Sequence, residues 1–87
     1  VTLPAVAAGT SGVTYLIRVG DEDLTVTVSP NSADKIVGNG FTAADDKDLI
    51  FTTQPAGSYV VLTAVNEATT DSAWTVQRIL GTATRQA

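Results

Sequence analysis

Two acidic clusters, Asp21-Glu22-Asp23 and Asp45-Asp46-Lys47-Asp48, are the groups in this chain whose type and spacing come nearest to doing chemistry. A pair of carboxylates can hydrolyse a glycoside, one as general acid and the other as nucleophile or base. That chemistry needs an enclosed cleft able to keep one carboxyl protonated. Both clusters fall among turn-forming residues, where solvated loop charge is the simpler reading. Loop carboxylates also suit a hard cation such as calcium, but neither spacing fits an EF-hand loop. With no His and no Cys in the chain, Ser-His-Asp and Cys-His arrangements cannot be built and zinc lacks its main ligands. No Gly-rich loop with a following Lys and Ser or Thr offers a phosphate cradle. The expectation is a protein without catalysis, metal or cofactor; a hydrolase reading would rest on Asp46 and Asp48.

Other residue types point to packing or to loops. Trp74 alternates with Val76, so it reads as a core anchor rather than a sugar-stacking platform. Tyr15 and Tyr59 lie in apolar strands and read as packing residues whose hydroxyls reach an edge or an interface. Asn31, Asn39, Asp45, Asp46 and Asn66 sit at expected loop tips, where ligand contacts concentrate.

These side chains hang on strands. Leu24, Val26 and Val28 share one face of a predicted strand and Thr25, Thr27 and Ser29 the other, the period-2 pattern of a half-buried strand. Val13, Tyr15, Ile17 and Val19 alternate before it, with Leu16 out of pattern, and "VGDED" (19–23) reads as the hairpin loop joining the two. "SPNSAD" turns the chain, and a short strand in "DKIVGNG" ends at Gly38-Asn39-Gly40. "DLIFTT" predicts a strand with Leu49 and Phe51 together, and "QPAG" the turn after it. Then "SYVVLTAVN" is apolar on both faces, Tyr59, Val61 and Val65 on one and Val60, Leu62 and Ala64 on the other. Such a strand is covered on both sides, and the second cover comes from a second sheet or from another subunit, of which another subunit is the expectation. "WTVQRIL" is the last predicted strand, and residues 81–87 read as a flexible tail. Residues 41–48 leave room for a single helical turn.

The 87 residues make one domain, which buries only about 60–65% of the surface its unfolded chain exposes. Without disulfides, oligomerisation is the natural supplement to a thin core. Strands recurring every 8–12 residues predict an all-β fold, an antiparallel β-sandwich or a jelly-roll-like small barrel. Net charge is −4 and the five basic residues are scattered, so a nucleic-acid backbone finds no patch. No stretch approaches the roughly 20 apolar residues that span a bilayer, and "VTLPAVAAG" lacks the features of a signal peptide. A first residue of Val rather than Met is expected of an excised domain or a trimmed product.

Read in order, "VTLPAVAAGTSGVTYLIRVG", "LTVTVSPNSADKIVGNG", "DLIFTT", "SYVVLTAV" and "WTVQRILGT" resemble a β-rich module that recurs in bacteriophage and prophage structural proteins. The resemblance covers most of the chain, although each motif alone is weak. It implies a homotrimer on the virion surface, as a capsid decoration or cement protein or a head-fibre module whose partners are its own copies and the major capsid protein. Tyr59, Val60, Val61, Leu62 and Val65 would then serve core and interface together. The alternative it implies is a tail-fibre knob that binds a host surface glycan or protein through the loop residues named above.

Overall fold

The computed structural model describes residues 1–7, 12–31, 34–38, 40, 46–65 and 73–86. The described residues form seven strands and no helix: β1 (Thr14–Arg18), β2 (Thr25–Val28), β3 (Lys35–Val37), β4 (Leu49–Thr52), β5 (Tyr59–Val65), β6 (Ala73–Leu80) and β7 (Thr84–Arg85). They make two sheets, ordered β1-β5-β6-β3 and β2-β4-β7. The fold is all-β and sandwich-like, as the strand pattern predicts. The first sheet is mixed rather than antiparallel, because β3 runs parallel to β6 with Ile36 opposite Trp74. β3 reaches that edge by crossing from the other sheet, and a crossing strand is free to arrive in either direction.

The core lies between the sheets. Val60, Leu62, Trp74 and Ile36 from the first sheet meet Val28, Leu49 and Phe51 from the second, all between 0% and 2% exposed. The alternation of β4 and β5 therefore does what it promises: every second side chain enters one shared apolar layer.

Three expectations are corrected. Residues 19–23 do not close a hairpin, since β1 pairs with β5 and β2 with β4; the turn carries the chain from one sheet to the other. Val19, which continues the apolar alternation of Tyr15 and Ile17, is core at 1% exposed, as that alternation predicts. Leu24 lies outside β2 at 52% exposed, while Val28 on the predicted face is fully buried. Residues 84–85, expected in a flexible tail, pair as β7 against Leu49 and Ile50, and the Gln86 amide donates to the Asp48 carbonyl at 2.8 Å. Of the helical turn entertained at 41–48, residues 41–45 lie outside the described residues.

The N-terminal segment extends the second sheet. Thr2 bridges Ser29 in parallel, the Ser29 amide donates to the Val1 carbonyl at 2.7 Å, and the Leu3 amide donates to the Ser29 carbonyl at 2.8 Å. Leu3 and Val6 enter the core. Asp34, 7% exposed, fastens the segment: its Oδ2 accepts from the Val6 amide at 2.8 Å and its carbonyl accepts from the Asp46 amide at 3.1 Å.

Candidate interaction surface

The outer face of the four-stranded sheet is set by pairing register and by one bulge. On β1 and β5, Thr14, Leu16 and Arg18 lie opposite Thr63, Val61 and Tyr59. Val60 and Leu62 point into the core, so these neighbours point out. On β6 the register slips between Val61, which faces Arg78, and Leu62, which faces Val76. Gln77 is the extra residue. A bulge of this kind reverses which side chains face inward beyond it, so Val76 and then Ile79 pack on the core while Arg78 and Leu80 turn outward. Simple alternation from Trp74 would have pointed Arg78 and Leu80 inward. The signal that could have revealed the bulge is the spacing of three, rather than two, between the apolar residues Val76 and Ile79.

The resulting face is mixed apolar and basic. Leu16 and Leu80 are 60% and 54% exposed, and Tyr59, Val61 and Val65 are half-buried around them. Arg18, Arg78 and Lys35 are the charged residues of these four strands; the acidic residues among those described, Asp21, Glu22, Asp23, Asp34, Asp46 and Asp48, lie off the strands. Among the described residues neither Arg18 nor Arg78 has a carboxylate partner. Strand spacing sets their Cα atoms about 12 Å apart, on either side of β5. Thr14 and Thr63 share a hydroxyl hydrogen bond of 2.9 Å at one end of the face. The second sheet offers a contrast, because its outer side presents Thr25, Thr27 and Thr52 around a half-buried Ile50.

Of the expected interface residues, then, Tyr59, Val61 and Val65 lie on the outer face and Val60 and Leu62 inside the chain's own core. The chain's own second sheet covers the Val60 and Leu62 side of β5, and Tyr59, Val61 and Val65 lie half-buried on its other side.

At the β1 edge a groove of about 270 Å³ runs between Val1–Pro4 and Tyr15–Ile17. Beneath it the Tyr15 and Trp74 rings stack, centroids 5.5 Å apart and planes at 28°. Ala64 lies between them on β5, opposite Trp74 and next to the Leu62 that faces Tyr15. Its small side chain lets the two rings meet across the strand. Trp74 is fully buried and its Nε1–H donates to the Pro4 carbonyl at 3.3 Å, so it is the core anchor its spacing predicts.

The candidate loop residues gather less. Asn31 and Asp46 are exposed and meet through Asp34, whose amide donates to the Asn31 carbonyl at 2.9 Å and whose carbonyl takes the Asp46 amide. Asn39, Asp45 and Asn66 lie outside the described residues. Asp21, Glu22 and Asp23 are exposed on a tight turn, with the Asp23 amide on Asp21 Oδ1 at 2.9 Å. Among the described residues no three carboxylates converge as a metal cluster, and no helix is long and apolar enough to cross a membrane. Compared with protein-family models, curated proteins and solved structures, the chain matches none.

Proposed function

We propose that this chain is a non-enzymatic structural module of a bacteriophage virion, a small β-sandwich that assembles as a homotrimer and decorates or cements the capsid, or builds a head fibre, at the virion surface. The observation that carries the reading is the outer face of the four-stranded sheet. Leu16, Tyr59, Val61 and Leu80 form an apolar face on an 87-residue domain that has no disulfide to supplement its core. A face of this composition belongs in an interface. The resemblance to phage structural modules adds the particle, the number three and the major capsid protein as partner. The motifs that carry it fall mostly on strands, from "YLIR" in β1 to "WTVQRIL" in β6.

The test is addition of the purified chain to capsids that lack it. Saturable binding with a fixed stoichiometry, together with a trimer by light scattering, supports decoration. Binding to host cells that is lost on changing Asn31 and Asp46, with none to capsids, replaces it with the receptor-binding knob.

A further inference from the structure

The outer sheet face has a definable complement. It presents Leu16, Val61 and Leu80 between two arginines without acidic partners among the described residues. What fits it is an exposed apolar side chain set among carboxylates and held in one shape. The chain carries such an element in the turn Asp21-Glu22-Asp23-Leu24. Two hydrogen bonds rigidify the turn, Asp23 amide to Asp21 Oδ1 at 2.9 Å and Leu24 amide to the Asp21 carbonyl at 3.2 Å. Its three carboxylates are exposed and Leu24 is 52% exposed at its end.

We propose that the outer face of one copy receives the Asp21–Leu24 turn of a neighbouring copy, with Leu24 seated on Leu16 and Val61 while Arg18 and Arg78 take Glu22 and Asp23. This rests on the homo-oligomer reading above and names the surfaces that make it. The turn does not serve its own face, because the chain leaves β1 at Arg18, buries Val19 and runs on to β2 in the other sheet. Charge complementarity selects the occupant. The charged residues on the strands of this sheet are all basic, while every acidic residue among those described lies off the strands. Two copies thus attract through unlike patches, and like patches repel. An interface between two different patches is heterologous, and a rotation of one third of a turn closes it as a ring of three.

The test is charge reversal read by light scattering over a concentration series, with circular dichroism confirming that each variant folds. Arg18→Glu with Arg78→Glu, and separately Glu22→Lys with Asp23→Lys, each weaken association by at least about a hundredfold, since like charges then face each other. The chain carrying all four changes regains assembly, at the original net charge of −4. Leu24→Ser, which alters no charge, also weakens association. If the native chain assembles and the reversals leave its mass unchanged, the interface lies elsewhere: the proposal is overturned while the oligomer reading stands. Failure of the fourfold variant to reassociate overturns the pairing in the same way. A native chain that stays monomeric at every concentration overturns both.

Discussion

Leu62 and Val61 are neighbours on β5 with opposite fates, and replacing each by Ala separates the core face from the outer face. Leu62 is 0% exposed and packs in the shared core. Truncation of such a leucine costs about 2–5 kcal/mol, the spread reflecting how far the cavity collapses. A domain of this length has roughly 4–13 kcal/mol of stability in all. At about 4–8 °C per kcal/mol for a chain of this size, Leu62→Ala lowers Tm by about 10 °C or more at every protein concentration. Val61 is half-buried on the outer face, and Val61→Ala costs the isolated subunit only about 0.5 kcal/mol. Its effect appears instead as lost association, and the drop in Tm grows with concentration because assembly stabilises the native chain by mass action. Thermal melts followed by circular dichroism from micromolar to millimolar protein, paired with solution mass, distinguish the two patterns. Equal losses of Tm at low concentration, or a Leu62→Ala chain within about 3 °C of the native one, would refute the assignment of faces.

Four further substitutions probe the supports of the fold. Gly81→Ala puts a Cβ 2.7 Å from Ser58 Oγ and 2.9 Å from Ser58 Cβ, at a φ of +96°; it should cost well over 1 kcal/mol in urea unfolding. Gly57→Ala, with a similar φ of +93° but open space around it, should cost less. Asp34→Ala leaves the buried Val6 amide without its acceptor and should lose about 1–3 kcal/mol, with hydrogen exchange rising first at Leu3 and Val6. Ala64→Leu drives a larger side chain between Tyr15 and Trp74; a loss of about 1–3 kcal/mol and a changed near-ultraviolet circular dichroism spectrum are expected, and an unchanged spectrum would count against the stack.

The strands themselves were legible because alternation is a local property. Leu49 and Phe51, Val60 and Leu62, and the short "KIV" before Gly38 could each be read from a few residues. What could not be read was which sheet each strand enters, since the composition of "VGDED" serves a hairpin and a crossing turn equally well. Two-residue β7 carries too little pattern to register at all. The N-terminal ladder hides behind Pro4 and three alanines, and the burial of Asp34 depends on Val6, 28 positions away. The outer face of the four-stranded sheet was half visible. Tyr59, Val61 and Val65 were recognised from the two-sided pattern of β5, whereas Arg78 and Leu80 were lost behind the bulge at Gln77, which reverses parity without changing residue type.

The alternation of the chain between sheets also bears on how the fold is reached. From β1 to β5 each strand lies in a different sheet from the one before it, and the second sheet unites Val1–Leu3, β2, β4 and β7 from the whole length of the chain. Neither sheet can be completed from one contiguous stretch, so loop-closure entropy must be overcome before most of the pairing is gained. Folding should therefore fall among the slower small domains, in milliseconds to seconds, and should proceed in one cooperative step. Removing either the first three residues or residues 84–86 would strip one outer segment from the second sheet and weaken the whole molecule rather than fray one end.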